Sequence, residues 1–353
     1  MMVEEEFCHK NPQNFYDLQC YLGFQLMADA SQDEETLIND YMDGCYGPAA
    51  PPMKELLALL RQAVKNEREP LLYITNPLRT YTDGAFLEKA YRLLKQAQAA
   101  VPPDSGYSRR VQQELTTPLA VIILNPQYDF LKRSGLTKAD ILAEYRAARL
   151  SRIEQPWVTA ARQKKDRVAL EQDLAAMALE IPTPDFLKNR GKLLMFAWPQ
   201  MSNSYDGSCN LESDPGSALG KAVVARGSDP GKHNLSKPST GGLYPNSFGI
   251  YSRSDKRRAE TVRTAVPQDE QYHWHKIPAF DFGPDSFLWG FYWLSCVNLS
   301  TVFTNADGLP GYNVWETWVS VKYTGPAYVK GSKQKNGVFI DQVILVKPDT
   351  AKP

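Results

Sequence analysis

The side chains able to do acid–base or metal chemistry are few and scattered. Hydrolysis of a sugar bond needs two carboxylates facing one another across it. The nearest sequence feature is Glu4, Glu5 and Glu6, and three consecutive acids beside a terminus read as a solvated end. In His273-Trp274-His275 both imidazoles fall on one side of an extended strand, because side chains alternate with period two. Two such histidines could hold a metal, but a third ligand is required and none announces itself; the favoured reading is a surface strand with Trp274 packed inward. No Gly-x-Ser-x-Gly elbow and no phosphate-binding glycine loop occurs; Thr240-Gly241-Gly242 and Asp229-Pro230-Gly231 are turn chemistry. Cys8, Cys20, Cys45, Cys209 and Cys296 are odd in number and lack a Cys-x-x-Cys pair, which disfavours a disulfide scaffold or a zinc site.

Aromatic residues offer a different chemistry. The stretch Val314 to Tyr323 alternates: Trp315, Thr317, Val319, Val321 and Tyr323 form an apolar face, and Glu316, Trp318, Ser320 and Lys322 a polar one. Trp318 is therefore a large ring among hydrophilic neighbours. Sugar C–H faces pack on such rings while Glu316 and Lys322 could pair with hydroxyls. Tyr244, in Gly241-Gly242-Leu243-Tyr244-Pro245-Asn246, is a second candidate. The competing reading has Trp318 lying under the helices or a loop and sealing a contact there. Trp289, Trp293 and Trp315 read as core.

These residues sit in a chain that changes character near position 190. Trp157 is the single tryptophan before that point, and the other six of the seven follow it. The earlier half carries apolar stripes at helical spacing: Phe15, Leu18, Leu22 and Leu26; Met53, Leu56, Leu57, Leu60 and Val64; Leu87, Ala90, Tyr91, Leu94 and Ala97; Leu170, Leu174, Met177 and Ile181. Ser31 with Glu34 predicts a capping box for a second helix bearing Leu37, Ile38 and Tyr41. Thr137 with Asp140 opens a later one. Val111, Leu115, Leu119 and Ile122 form a stripe in which Pro118 marks a kink or a break. Short connections predict antiparallel neighbours packed as a bundle.

Ile181 to Gly191 is the predicted linker. After it come candidate strands at Lys192–Trp198, Ala222–Ala225, Ser247–Tyr251, Asn313–Tyr323 and Val338–Val346. Phe287–Val297 is apolar on both alternating sets and predicts one central strand covered on both sides. The fold class is therefore α+β and multidomain: an α-helical bundle followed by an antiparallel β-sandwich or jelly roll. At 353 residues, with 43% hydrophobic and 23% charged content, the chain can bury more than one core. A formal net charge of zero argues against nucleic acid, and no apolar run approaches a membrane span.

Tyr21 to Ala50, YLGFQLMADASQDEETLINDYMDGCYGPAA, resembles a junction in a family of uncharacterised bacterial proteins related to α-glucuronidases and β-hexosaminidase-type glycosidases. There, a leucine-rich helix follows the last strand of a catalytic barrel, an acidic helix comes next, and a Tyr-Gly-Pro-Ala signature opens a helical domain. Tyr46-Gly47-Pro48-Ala49 is that signature here. Trp318 to Lys347, WVSVKYTGPAYVKGSKQKNGVFIDQVILVK, resembles the final strands of an appended carbohydrate-binding jelly roll. The resemblance implies three parts: 1–48 as a barrel end and junction, 49–185 as the helical domain and 191–353 as the carbohydrate-binding-like sandwich. The barrel itself would precede the junction, and Val3 to Phe7 could be its last strand. The resemblance thus implies a non-catalytic, carbohydrate-associated tail whose partners are a glycan and a glycosidase barrel. The alternatives are a hydrolase active only as a longer parent, or a structural scaffold. It also implies structural Ca²⁺ at Asp341, completed by Asp206, Glu212 and Asp214, carboxylate oxygens being the donors calcium takes. The competing reading pairs Asp341 with Lys322 or a backbone amide. Met1-Met2-Val3-Glu4-Glu5-Glu6 lacks the basic and apolar regions of a secretion signal, so the expected place is the cytoplasm as written, and the periplasm or exterior for a longer parent.

Overall fold

The computed structural model describes residues 14–65, 84–124, 130–198, 210–226, 248–252, 267–282, 286–290, 294–298, 313–325 and 337–347. It is α+β, and it divides into a helical unit ending at Ala178 and a β unit whose continuous part starts at Leu179. The break falls at the start of the predicted linker, so Pro182 to Gly191 belongs with the strands. No described helix is long and apolar enough to cross a membrane.

The helical unit runs α1 (Tyr16–Ala28), α2 (Glu34–Tyr46), α3 (Ala50–Lys65), α4 (Gly84–Ala99), α5 (Gly106–Glu114), α6 (Thr116–Leu124), α7 (Phe130–Ser134), α8 (Lys138–Ile153) and α9 (Ala160–Ala178). Helix α3 packs on α4, and α8 packs on α5, α6 and α9. The stripes point inward as their spacing requires: Met53, Leu56, Leu87, Leu94, Val111, Leu119 and Ile141 are all buried. Thr137 and Asp140 form the reciprocal capping box of α8. The box predicted at Ser31 does not form. Asp33 caps α2 by accepting the Thr36 amide, and Ser31 instead donates to Asp29. Asp lies one residue before the first helical turn, where its carboxylate meets the free amides and the positive helix end. The Pro118 stripe is broken: α5 ends at Glu114 and α6 starts at Thr116. Pro118 then falls in the first turn of α6, where its missing N–H would have had no partner.

Tyr46-Gly47-Pro48-Ala49 is the corner between α2 and α3. Gly47 to Ala49 makes one 3-10 turn that runs directly into α3. Gly47 has φ of +53°, and a Cβ there would lie 2.7 Å from the Tyr107 ring. The position thus demands glycine twice, for backbone handedness and for space.

In the β unit the strands are β1 (Lys192–Phe196), β2 (Asn210–Ser213), β3 (Lys221–Arg226), β4 (Phe248–Ser252), β5 (His273–Phe282), β6 (Ser286–Gly290), β7 (Leu294–Asn298), β8 (Asn313–Thr324) and β9 (Gly337–Lys347). A larger antiparallel sheet has the order β2-β3-β9-β8-β5, and a smaller one the order β4-β6-β7. Two strands share one edge of β9: β3 pairs with its first half, and β1 with its second. The predicted single strand Phe287–Val297 is instead the hairpin β6–β7, with Phe287 opposite Asn298 and Gly290 opposite Leu294. A run apolar on both sets has no alternation to fix its length, so a chain reversal inside it leaves no hydropathy mark.

One face of the larger sheet is continuous core. Val319, Val321 and Tyr323 of β8, Ile277 of β5, Ile340, Val343 and Leu345 of β9, and Leu194 and Phe196 of β1 are all buried. His275 lies on this face opposite Val319 and is buried, while Trp274 is half-buried on the other. The histidine side of that strand, expected to face outward, is its core side, and burial pushes the His275 pKa down.

Candidate functional site

Alternation along β8 puts Glu316, Trp318, Ser320 and Lys322 on the face opposite that core. The register adds Trp274 and Lys276 from β5, and Gln342, Ile344 and Val346 from β9. The face has two chemically different ends.

At the first end Trp318 is the middle of an aromatic cluster. The rings of Phe186 and Trp318 meet edge to face at 4.8 Å, and those of Phe186 and Trp274 at 5.6 Å. Phe186 arrives on a 3-10 turn, Asp185–Leu187, that follows Pro182 and Pro184. The next residue, Leu187, is fully buried against Ile344 and Val346 and so anchors the turn. Phe186 stays 42% exposed, making it the outermost ring. Charged groups rim the cluster. Glu316 accepts the Trp318 indole N–H at 2.6 Å and pairs with Lys276 at 2.7 Å and Arg190 at 3.3 Å. Burial alone would raise the Glu316 pKa, but the Lys276 and Trp318 hydrogen bonds outweigh it and hold it below the usual range. Lys276 also lies 5.8 Å from the Trp318 ring centroid, within reach of its negative face.

At the other end is a closed polar cluster. Lys322 pairs with Asp214, which also accepts the Tyr272 hydroxyl at 2.6 Å and the Gly216 amide at 3.0 Å. The ammonium lies over the rings of Phe339 and Tyr272, 4.6 and 4.9 Å from their centroids. Burial would raise Asp214, yet the Lys322 and Tyr272 hydrogen bonds win and lower it. Asp341 is close by, and its placement has a backbone cause. Ser320 pairs with Gln342 and Val321 with Ile340, so Asp341 is the extra residue of a β-bulge, a device that re-aims a side chain. It occupies the stretch of β9 between the part paired with β3 and the part paired with β1. There it accepts the Ala218 amide at 2.8 Å and the Ser320 hydroxyl at 3.4 Å. Burial and the negative charge of Asp214 push its pKa up to about 6, against the pull of those bonds and Lys322.

The expected residues are therefore distributed as follows. Trp318 and Glu316 come together. Lys322, expected beside them, belongs to the Asp214 cluster instead. Tyr244 and Asp206 lie outside the described residues. Of the four acids assigned to calcium, Asp214 and Asp341 are near enough to interact through charge, whereas Glu212 stands on β2 opposite Ala222. Calcium takes six to eight oxygens, and the described residues contain no group of three or more acid, His or Cys ligands. Lys322 already supplies the positive charge to Asp214. Asp341 takes the backbone-amide partner of its competing reading.

Sequence reasoning missed Phe186, Arg190, Lys276 and Tyr272. Phe186 carried a legible signal, a lone large aromatic inside a Pro-rich linker. Lys276 and Tyr272 follow from the period-two rule once Trp274 is placed, but only strand register reveals that they face Trp318 and Lys322. The comparisons add no relative: no family model matches this chain, and neither a curated protein nor a solved structure matches it.

Proposed function

We propose that this chain is a non-catalytic, carbohydrate-associated module in which the β unit docks a glycan. The reading rests on one observation: a partly exposed aromatic cluster, Phe186, Trp274 and Trp318, rimmed by hydrogen-bonding charges on Lys276, Glu316 and Arg190. Sugars bring an apolar C–H face and a ring of hydroxyls, and this surface offers a complement to each. Phe186 is the stacking ring, Trp274 and Trp318 support it from beneath, and Lys276 and Arg190 donate to hydroxyls. In this reading the two sheets are layers of a jelly-roll-like sandwich, which supplies cover for the buried Val319 face.

The test is affinity electrophoresis of the whole chain against soluble polysaccharides. Retardation is expected for at least one glucan, mannan or uronic-acid polymer. Phe186→Ala is expected to weaken it at least about tenfold, as truncation of an anchor residue does, with the circular dichroism spectrum unchanged. Folded wild-type protein that no polysaccharide retards, or a Phe186→Ala variant that binds as before, would overturn the assignment and leave the cluster a packing feature.

A further inference from the structure

Helix α1 breaks the rule its neighbours obey. It is apolar nearly all round, and a helix of that kind belongs in an interior. Yet Leu18 is its one buried residue. Phe24 is 69% and Met27 41% exposed, whereas Leu22 and Leu26 are half-covered. Asp17, Tyr21, Phe24 and Ala28 lie at successive helical turns and so form one outer stripe. Tyr21 ties it to α2 through the Tyr41 ring, at 5.2 Å between centroids.

The segment that carries this stripe and α2 has one sign. Residues 14 to 46 contain seven acids, Asp17, Asp29, Asp33, Glu34, Glu35, Asp40 and Asp43, and no Lys, Arg or His. Arg61 answers Glu34 and Glu35, and Lys54 answers Asp43. Asp17, Asp29, Asp33 and Asp40 are exposed and have no ion pair among the described residues. Hydrogen bonds from Ser31 and Thr36 lower Asp29 and Asp33 and so keep them ionised.

We infer that the α1–α2 pair is the docking surface for a basic amphipathic helix of a partner protein. Exposed apolar area of this kind marks an interaction site, and charge selects among occupants. An anionic membrane leaflet would meet four carboxylates that have no ion pair among the described residues and be repelled. A second copy docking by the same face would set acid against acid. A helix with leucine on one side and lysine or arginine flanking it satisfies both features, laying its apolar side on Phe24 and Met27 and its charges toward Asp17, Asp29, Asp33 and Asp40.

The test uses a fluorescent Leu/Lys amphipathic peptide about 18 residues long, enough to form a helix once docked, titrated with the whole chain by anisotropy. A Leu/Glu counterpart serves as the control. Saturable binding is expected for the lysine peptide alone, weakening as salt screens the charges. The double variant Phe24→Ser, Met27→Ser changes exposed side chains only and should fold as before; it is expected to bind at least about tenfold more weakly. Equal binding by the double variant would reduce the interaction to net charge and overturn the proposal. So would equal binding of the glutamate peptide. Sedimentation showing wild-type oligomers that the double variant loses would overturn it in favour of a second copy.

Discussion

Lys322 sets the electrical state of the polar end of the sheet. It pairs with Asp214 and lies over the Tyr272 and Phe339 rings, and both it and Asp214 are almost wholly withdrawn from solvent. Removing one partner of a buried pair leaves the other charge uncompensated, which costs more than the pair itself contributes. Lys322→Met should therefore destabilise the β unit by about 3 kcal/mol. Adding Asp214→Asn should recover part of that loss, which urea unfolding of the two single variants and the double variant would reveal. Asp341 answers to pH instead. Its folded pKa, about 6, lies above its ordinary value of 3.8, so between those values the native state holds more protons than the unfolded one. Stability then falls as pH rises through that window, and the full penalty, at most about 3 kcal/mol, persists above it. Asp341→Asn keeps an acceptor for the Ala218 amide and removes the charge. It should raise the urea midpoint near neutral pH and flatten the slope between about pH 4 and pH 6. A backbone-amide partner for Asp341 was readable from the sequence, but its placement was not, because alternation predicts faces but not bulges, and the bulge is what aims the carboxylate.

Among elements, α5 supplies the clearest case of one helix holding another. Glu114, its last residue, reaches across to the start of α1 and accepts the Phe15 amide at 2.9 Å, the Asn14 side-chain amide at 2.9 Å and the Tyr46 hydroxyl at 3.2 Å. Burial raises its pKa, opposed by Arg152 and those three donors. One carboxylate thus caps α1 from outside, where Phe15 takes a left-handed φ of 56° and offers no capping side chain. Glu114→Ala strands three donors and should cost about 3 kcal/mol or more, at about 1–3 for each buried group left unsatisfied. Glu114→Gln retains an acceptor and should cost far less; thermal unfolding followed at 222 nm separates the two. The α2–α3 corner gives the second test. Gly47→Ala must adopt a positive φ and displace Tyr107, so a loss of about 1–3 kcal/mol is expected in the same assay. Helix existence was legible from periodicity because each stripe is a local, repeated signal. The Glu114 cap was not, since its partners are about a hundred positions away, and a long-range acceptor leaves no local spacing to read.

At the scale of the whole molecule, the change near residue 190 was the most legible feature, because composition integrates over many residues. Trp198, Trp274 and Trp318 confirm it by lying in the β unit, where Trp198 is buried and donates to the Leu219 carbonyl. What stayed hidden was pairing: Phe287–Val297 read as one strand, and β1 and β3 sharing an edge of β9 has no counterpart in local pattern. Two units with separate cores also predict how the chain unfolds. The helical unit contains Trp157 as its only tryptophan, 76% exposed on the turn before α9, so its unfolding hardly changes indole burial. Ellipticity at 222 nm instead reports mainly those helices. Two-state behaviour would make the two signals coincide. Independent cores should separate them, with tryptophan emission following the β unit and ellipticity the helices, and each curve should have an m-value smaller than a 353-residue cooperative unit requires. Coincident urea curves carrying the larger m-value would show that the chain folds as one cooperative body. In that case Lys322→Met would move the helical signal as far as the indole signal, whereas separate units predict a shift in the indole curve alone.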